Sequence, residues 1–242
     1  MKAVILAAGK GTRLGELTKN TPKPMIEVAG KPVVEHVMRG IQRAGVNDFI
    51  LITKYLSEKI EEYFGDGSRF GMRIQYVVQG DRYGTGAALG CAKDLVGYEP
   101  VMMTFADVIM SACNYEGALD VYKDLRGAGV ITLNEVPDPC AGADVQLDFE
   151  GRVSRVTEKP APGTAPCYMN SSGLFIFDPI VFDYLDRLEP SARGEYEIPD
   201  AINHMVEDGL AIYPYNLRGF WKDVGRPEDI PVASELIAGD SC

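Results

Sequence analysis

The sequence opens with MKAVILAAGKGTRL (residues 1–14), where a short apolar run passes directly into a polar loop that contains Gly9 and Gly11. A run this short and rich in branched apolar residues predicts a buried strand. Glycines that follow it let the backbone approach a ligand closely and expose N–H groups. The stretch therefore predicts the first strand of an α/β fold with a ligand-binding loop at its carboxyl end.

Apolar strands and amphipathic helices continue to alternate through the first half of the chain. We predict strands at residues 49–52, 74–78, 101–105 and 130–133, and helices at 33–44, 60–64, 85–95 and 115–126. The helix at 33–44 has its apolar residues on one face, with Pro32 well placed at the first helical position and Gly45 just past the end. This βαβ order predicts a Rossmann-like, doubly wound, mostly parallel mixed sheet.

Beyond about residue 138 the pattern changes. Residues 143–148 and 153–158 alternate around Glu150 and Gly151, which predicts a β-hairpin and the start of a small β-rich substrate lobe. Farther along we predict a strand at 174–177, helices from Pro179 and from Pro199, a strand at 210–215 and an end segment from Pro227. Neither a repeat nor a linker interrupts the sequence, so we interpret residues 1–242 as a single domain.

The composition argues against several classes of partner. The 242 residues carry a formal net charge of −11, which disfavours nucleic acid because a phosphate backbone calls for a basic face. The apolar start is too short for a signal peptide, and no stretch approaches the length of a membrane span. The five cysteines are odd in number and lack a C-x-x-C pair, so we expect reduced thiols in a cytoplasmic protein.

The loop after the first strand carries positive charge as well as glycine. Arg13 follows Gly11 by two residues, and Lys23 lies between two prolines in TPKP (residues 21–24). Backbone N–H groups and two cations together predict a cradle for a triphosphate. The loop lacks the Gly-Lys-Ser/Thr of a Walker A motif and has Leu14 where a dinucleotide fingerprint needs glycine. An ATPase or an NAD-binding function is therefore disfavoured.

Two acidic residues are candidates for a metal site. Asp107 follows the predicted strand at 101–105, so its carboxylate would lie at the sheet edge where α/β folds bind ligands. Asp223 lies far along the chain in a polar turn. Two carboxylates can hold Mg²⁺ while water and phosphate oxygens complete the octahedron. On spacing alone, a helix cap for Asp107 and a turn residue for Asp223 are equally good interpretations.

The segment AAGKGTR (residues 7–13), together with TPKP, resembles the signature of the sugar-phosphate nucleotidyltransferases, also called nucleoside-diphosphate-sugar pyrophosphorylases. The similarity is to the glucose-1-phosphate thymidylyl- and uridylyltransferases in particular, and it extends to QGDRYGTGAA (79–88), EKP (158–160), GEYEIPDAI (194–202) and WKDVGRPE (221–228). The resemblance implies a Mg²⁺-dependent reaction of an NTP with a sugar 1-phosphate that releases pyrophosphate. It also implies the nucleotide-diphospho-sugar transferase fold, with a nucleotide-binding half at about 1–137 and an acceptor-binding half at about 138–242.

The resemblance implies a role for each matching residue. Nucleotide contacts are implied for Leu6, Ala8, Gly9, Gly11, Thr12, Gln79, Gly84, Thr85 and Asp107. Catalytic roles are implied for Arg13, Lys23 and Lys159, acceptor contacts for Glu158, Lys159, Ser171 and Glu195, and Mg²⁺ ligation for Asp107 and Asp223. Two positions depart from the family, which usually has Gly where this chain has Ala106 and Asn where it has Ser171.

Three alternatives stay open. A cytidylyltransferase acting on a non-sugar phosphate such as phosphocholine would share the loop, and Ser171 is compatible with an unusual acceptor. A non-catalytic nucleotide-binding regulatory protein would be expected to lack a metal carboxylate or the loop lysine, whereas this chain has both. A redox Rossmann enzyme is the third alternative.

The remaining chemically versatile residues are assigned to structure. His36 and His204 have no partner at metal or triad spacing. Cys91 and Cys113 lack a nearby cation and are interpreted as packed thiols. We therefore expect small-molecule partners, no nucleic acid or membrane partner, and a possible homo-oligomer.

Overall fold

The computed structural model describes residues 1–138, 140, 142–165 and 169–242. Its strands and helices follow one another along the chain in this order: β1 (Lys2–Leu6), β2 (Glu27–Val28), β3 (Lys31–Pro32), α1 (Val33–Arg43), β4 (Asp48–Thr53), α2 (Ser57–Phe64), β5 (Arg73–Val78), α3 (Thr85–Gly90), α4 (Lys93–Val96), β6 (Val101–Phe105), β7 (Val108–Met110), α5 (Cys113–Leu125), β8 (Gly129–Glu135), β9 (Ala143–Leu147), β10 (Val153–Glu158), β11 (Met169–Phe177), α6 (Val181–Leu185), α7 (Ile198–Glu207), β12 (Ile212–Asn216), β13 (Trp221–Asp223) and α8 (Asp229–Gly239). The described residues also include 3₁₀ helices at Thr12–Thr18, Lys23–Met25 and Ser68–Phe70.

A mixed sheet runs through the described part of the chain. Strands β5, β4, β1 and β6 are parallel, whereas β11 is antiparallel to β6, β8 and β9. The path through the sheet is β10-β9-β11-β6-β1-β4-β5, and β8 and β12 join it through β11. The predicted α/β class with a doubly wound mixed sheet is confirmed, as is the hairpin of β9 and β10.

Helices cover both faces of the sheet, which creates two apolar cores. Successive side chains of a strand point to opposite faces, so Ile5 of β1 lies in one core and Val4 in the other. Helices α1 and α5 contribute Val37 and Tyr115 to the first core. Helices α3, α6 and α7 contribute to the second core. Burial on both faces explains why β1, β4 and β6 are continuous apolar runs rather than alternating ones, whereas β5, at the end of the sheet path, has mixed polar and apolar residues.

The carboxyl ends of the parallel strands meet at one edge of the sheet. The register pairs Leu6, the last residue of β1, with Ile52 of β4 and with Phe105 of β6. The loops that follow these strands therefore emerge side by side. This is the edge at which open α/β sheets bind ligands.

Several local features differ from the predictions. The helix predicted at 85–95 is divided into α3 and α4, with the break after Gly90, a residue of low helix propensity. Pro32 is the cap of α1 rather than its first helical residue. The ribbons β2–β3 and β7–β13 are absent from the predictions because strands of two or three residues are too short to show a period.

A disulfide bond joins Cys113, at the start of α5, to Cys242. The two Cα atoms are 5.6 Å apart although 129 residues separate them along the chain, so spacing in the sequence could not reveal the pair. The prediction of reduced thiols throughout is therefore wrong for Cys113 and Cys242. Within the described part of the chain Cys91 and Cys140 are free, and Cys167 lies outside the described residues.

The two halves predicted from the sequence share the sheet. Strand β6 of the first half pairs directly with β11 of the second. The division of the chain near residue 137 by function stays a prediction. Among the described residues, no helix combines the length and the apolar character needed to cross a bilayer.

Candidate active site

A cavity of about 830 Å³ opens at the carboxyl edge of β1, β4 and β6. This volume is typical of small-molecule sites, which span roughly 300–1,000 Å³. The predicted site residues that line the cavity are Leu6, Ala8, Gly9, Gly11, Thr12, Arg13, Lys23, Gln79, Gly84, Thr85, Asp107 and Glu195. Among the described residues predicted for the site, Glu158, Lys159, Ser171 and Asp223 do not line it.

The N-terminal loop forms one wall of the cavity, and its turn requires a glycine at position 11. Gly11 has a φ of 65°, and a Cβ atom there would lie 2.8 Å from Lys23 Cβ. The Gly11 carbonyl oxygen accepts hydrogen bonds from Leu14 N at 2.9 Å and from Thr18 Oγ1 at 3.1 Å. The left-handed backbone and the close lysine stem both exclude a side chain. Gly9 has open space around it, so its backbone is accessible from the cavity.

The loop between β4 and α2 contacts both the N-terminal loop and the segment that follows β5. Tyr55 Oη donates to the carbonyl oxygens of Thr18 and Lys19 at 3.1 and 3.0 Å. Lys54 Nζ donates to the Gly80 carbonyl oxygen at 2.7 Å. Both Lys54 and Tyr55 line the cavity, and neither is among the predicted site residues because neither belongs to a motif. Their position directly after a buried parallel strand is the signal that could have indicated them.

Four charged side chains meet at one side of the cavity. Lys23 Nζ forms an ion pair with Asp107 and lies 3.7 Å from Asp223 Oδ1. Arg13 reaches the same region. The point that a Cβ atom on Gly225 would occupy is 3.4 Å from Arg13 Nη2 and 3.4 Å from Asp223 Oδ2, so both side chains lie next to Gly225. The two candidate metal ligands therefore face one point rather than opposite sides of the molecule.

The β7–β13 ribbon explains how residues so distant in sequence converge. Asp223, the last residue of β13, pairs with Val108, the first residue of β7. One residue farther, Val224 N donates a hydrogen bond to the carbonyl oxygen of Asp107 at 2.9 Å. Backbone register therefore holds the two carboxylates next to each other.

The environment of Asp223 suits a cation. Burial raises the pKa of its carboxyl group, and the nearby charge of Asp107 raises that pKa further, against the opposing effect of Lys23 and Arg13. Asp223 Oδ1 is buried and has no hydrogen-bond partner among the described residues. Nowhere in the described part of the chain do three or more His, Cys, Asp or Glu residues group as a metal site. A Mg²⁺ ion at this pair would therefore need further oxygen ligands from water or phosphate.

The opposite wall consists of Gln79 and the start of α3. Gln79 is buried, and its Nε2 donates to a backbone carbonyl oxygen three residues farther on at 3.1 Å. Gly84 has a φ of 126°, and a Cβ atom there would lie only 2.3 Å from the Tyr196 carbonyl oxygen. Thr85 Oγ1 accepts a hydrogen bond from the backbone of Ile198 at 3.1 Å. Because Gly86 N also donates to the Tyr196 carbonyl oxygen at 2.8 Å, this wall is anchored to the start of α7 and to the residues just before it.

Two of the predicted acceptor residues, Glu158 and Glu195, contact Arg193. Its Nη1 lies 3.3 Å from Glu158 Oε1, its Nη2 3.1 Å from Glu195 Oε1 and its Nε 3.5 Å from Glu197 Oε1. Lys159 Nζ lies 3.9 Å from Glu158 Oε1, and its backbone φ of 43° is uncommon for a residue other than glycine. Arg193 is not among the predicted site residues, although it directly precedes the resembling segment 194–202 that contains Glu195.

Ser171 lies apart from this group. It is opposite Leu133 in the pairing of β11 with β8, next to an irregularity in the register. Its Oγ accepts a hydrogen bond from Gly173 N at 3.4 Å. These contacts give no link to Glu158 or Lys159, so a role for Ser171 in acceptor binding stays a prediction.

Fold and site together define a class of protein. A glycine-containing loop, two cations and two carboxylates lie together at the carboxyl edge of a doubly wound sheet, and exposed backbone N–H groups beside cations suit phosphate groups. The chain belongs to the nucleotidyl transferase family, whose family model matches residues 2–239. The family indicated by the N-terminal signature is thereby confirmed, and the redox Rossmann alternative is disfavoured.

Curated relatives match nearly the whole chain. The low-salt glycan biosynthesis nucleotidyltransferase Agl11 of Haloferax volcanii is 40% identical, over 99% of this chain and 67% of its own length. The bifunctional protein GlmU of Methanocaldococcus jannaschii is 35% identical, over 98% of this chain and 54% of its own length. The glucose-1-phosphate thymidylyltransferase of Streptomyces antibioticus is 32% identical, with 99% and 67% covered. The chain therefore spans between about half and two thirds of these relatives.

Solved structures have the same fold. A Bacillus anthracis protein described as a glucose-1-phosphate thymidylyltransferase, in complex with sucrose, is similar with a TM-score of 0.89 and 28% identity, covering 99% of this chain and 96% of that one. A UDP-glucose pyrophosphorylase complexed with UDP-glucose is similar with a TM-score of 0.89 and 23% identity, covering 98% of each chain. At 23% identity the second similarity concerns the fold alone.

Proposed function

We propose that this chain catalyses the Mg²⁺-dependent transfer of a nucleoside monophosphate from an NTP to a sugar 1-phosphate, which yields an NDP-sugar and pyrophosphate. The observation that carries the proposal is the meeting of Arg13, Lys23, Asp107 and Asp223 beside the glycine loop. The names of the relatives support a sugar phosphate as the acceptor, because they include a glycan biosynthesis nucleotidyltransferase and a glucose-1-phosphate thymidylyltransferase.

The reaction is a direct in-line displacement. A phosphate oxygen of the acceptor attacks the α-phosphorus of the NTP and forms a new P–O bond. The bond from the α-phosphorus to the oxygen that bridges the β-phosphate breaks, and pyrophosphate leaves with the electron pair. No covalent enzyme intermediate forms, so positioning and charge neutralisation supply the catalysis.

One group of side chains binds the nucleotide, and another binds the acceptor. Arg13 and Lys23 neutralise the triphosphate and then the departing pyrophosphate. Lys159 holds the attacking phosphate, while Glu158 and Glu195 accept hydrogen bonds from sugar hydroxyl groups. Arg193 orients both glutamates through its ion pairs.

Two further groups of residues complete the nucleotide site. The backbone of Leu6, Ala8, Gly9, Gly11 and Thr12 lines the cavity beside the cations and would contact the ribose and the phosphates. Gln79, Gly84 and Thr85 lie on the opposite wall and would face the base. The cavity of about 830 Å³ between the two walls has the volume of a small-molecule site, which supports a ligand of nucleotide size.

Asp107 and Asp223 would hold the Mg²⁺ ion. The buried Asp223 Oδ1, which lacks a described hydrogen-bond partner, fits that role. When bound, the ion would neutralise charge on the phosphate oxygens. Protein Mg²⁺ sites commonly use one or two carboxylates and take their other ligands from water and substrate phosphates.

A pyrophosphate-release screen tests the proposal. Each common NTP is paired with a panel of sugar 1-phosphates and with phosphocholine, in Mg²⁺ and in EDTA. We expect at least one NTP and sugar 1-phosphate pair to release pyrophosphate, and EDTA to abolish that release. Release only from CTP with phosphocholine would identify the cytidylyltransferase alternative, with which Ser171 is compatible. Nucleotide binding without release from any pair would contradict the proposal and indicate a regulatory protein.

We further propose small molecules, rather than nucleic acid or a membrane, as the partners of this site. The net charge of −11 supports this proposal, because it opposes binding to a polyanionic backbone. A cytoplasmic location and a possible homo-oligomer stay predictions, which cell fractionation and sedimentation would test.

A further inference from the structure

Lys23 lies where the two candidate metal ligands converge. The residue is only 9% exposed, and its Nζ is ion-paired with Asp107 Oδ2 and 3.7 Å from Asp223 Oδ1. Lysine is almost never this buried unless it is paired. The ammonium group therefore stands at the oxygens that a divalent cation would use.

The surroundings direct the Lys23 side chain to this point. A Cβ atom on Gly11 would lie 2.8, 3.1 and 3.2 Å from Cβ, Cγ and Cδ of Lys23, so the lysine stem runs along the glycine of the loop. Pro22 and Pro24 flank the residue, and Met25 N donates to the Pro22 carbonyl oxygen at 2.8 Å to close a 3₁₀ turn. The 3₁₀ turn and the neighbouring glycine thus place the stem of Lys23 along the loop, with its ammonium group beside the two carboxylates.

We infer that Lys23 is a built-in counter-ion for Asp107 and Asp223, which in the nucleotide-free protein keeps a bare divalent cation from binding to this pair. A divalent ion at these oxygens would stand within about 4 Å of the ammonium group, where like charges repel strongly. Lys23 also keeps the two carboxylates together, because without a cation their negative charges would repel each other. Lys23 is therefore a positioning residue before any ligand arrives.

A bound triphosphate would compete with Asp107 and Asp223 for Lys23. This step rests on the proposed function. The phosphate oxygens offer the ammonium group another set of anionic partners within the cavity that Lys23 lines. Once Lys23 turns to them, Asp107 and Asp223 are free to take a divalent ion. Metal and nucleotide would consequently bind together rather than one after the other.

Mn²⁺ binding to the nucleotide-free protein tests the inference. Electron paramagnetic resonance of free Mn²⁺, with Mg²⁺ as a competitor, yields Kd for the wild type and for Lys23→Met. We expect the variant to bind Mn²⁺ at least about tenfold more tightly, because a like charge about 4 Å from the ion has been removed. Adding Asp107→Asn to Lys23→Met should abolish the gain, which assigns it to this site.

The matched control is Lys19→Met. Lys19 lies in the same loop, but it is exposed and pairs with Glu16 at 2.8 Å. Its variant should bind Mn²⁺ as weakly as the wild type does. A gain in the control as large as that in Lys23→Met would indicate a general effect of charge and overturn the inference.

Thermal unfolding supplies a second readout without nucleotide. In EDTA, Lys23→Met should melt below the wild type, because Asp107 and Asp223 have lost their counter-ion. Mn²⁺ alone should raise the Tm of the variant and leave that of the wild type unchanged, since a ligand stabilises only the protein that binds it. If Lys23→Met does not fold, Lys23→Gln takes its place in both measurements.

Besides an equal gain in Lys19→Met, one further result would overturn the inference. It is a folded Lys23 variant that binds Mn²⁺ no more tightly than the nucleotide-free wild type does. Failure of the pyrophosphate screen would reject the proposed function alone, because the Mn²⁺ measurements contain no nucleotide and no acceptor.

Discussion

The backbone N–H of Val224 donates a hydrogen bond to the carbonyl oxygen of Asp107 at 2.9 Å. The bond continues the antiparallel pairing of Asp223 with Val108, so the position of each carboxylate depends on the strand that carries the other. A ribbon of two three-residue strands is not stable by itself. Helix α8, which contacts β13, therefore contributes to the geometry of the candidate metal site.

Loss of either carboxylate should reduce activity without unfolding the protein. Asp107→Asn and Asp223→Asn keep side-chain size but remove the charge that would hold Mg²⁺. We expect each to lower kcat by roughly 10²- to 10³-fold, the range found when one preorganised charge-stabilising group is removed. Pyrophosphate release measures the effect, and Asp120→Asn on the exposed side of α5 is the control. Turnover near that of the wild type in either variant would contradict the proposed role of that carboxylate in Mg²⁺ binding.

Alanine substitutions at two glycines in or next to α3 should change the stability of the protein in opposite directions. Gly84→Ala would bring a methyl group to 2.3 Å from the Tyr196 carbonyl oxygen at a φ of 126°, so we expect a loss of about 1–3 kcal/mol in the free energy of unfolding. At Gly90, which is helical, a methyl group would meet open space. Gly90→Ala should therefore raise the free energy of unfolding, by less than about 1 kcal/mol. Urea unfolding measures both. A Gly84→Ala variant as stable as the wild type would show that the close contact at Gly84 does not exist.

Glu35 should make stability depend on pH in the acid range. Burial raises the pKa of this carboxyl group, but hydrogen bonds from Arg39 Nε at 2.7 Å and Tyr63 Oη at 2.8 Å outweigh burial, so the pKa lies below its ordinary value. A carboxyl group with a lowered pKa stabilises the fold above its unfolded pKa of about 4.3 and ceases to do so as pH falls through the folded value.

The variant Glu35→Gln tests this effect. It should lower the free energy of unfolding at pH 7 by about 1–3 kcal/mol, because one buried hydrogen-bonding oxygen is lost. The deficit relative to the wild type should shrink as the pH falls below about 4.3. Urea unfolding across this range measures it, and a deficit independent of pH would contradict the assigned pKa direction.

The disulfide between Cys113 and Cys242 should make stability depend on redox conditions. Cys242→Ser should lower the free energy of unfolding of the oxidised protein by about 2–4 kcal/mol, since a disulfide restricts the unfolded chain. A reductant should bring the wild type down to the level of this variant and leave the variant itself unchanged. Cys91→Ser, at a free thiol, is the control. Thermal unfolding of the wild type that is insensitive to reductant would argue against the bond.

The predictable part of the fold consists of elements with a clear pattern over five or more residues. Strands β1, β4 and β6 are buried on both faces, so continuous apolar runs mark them, and α1 has one apolar face. The ribbon of β7 and β13 has three residues in each strand, which is too few to show a period. The ribbon nevertheless decides where Asp223 lies.

The sequence by itself determined the chemistry of the loop, because Gly9, Gly11, Arg13 and Lys23 act through local backbone conformation and charge. It also determined the α/β class, because hydrophobic periodicity reflects which faces of each element are buried. Only the tertiary structure decided that Lys23 stands between two carboxylates, that Arg193 joins three glutamates and that two distant cysteines form a bond. Such contacts depend on strand register and helix packing between segments far apart in the chain, and no local pattern specifies them.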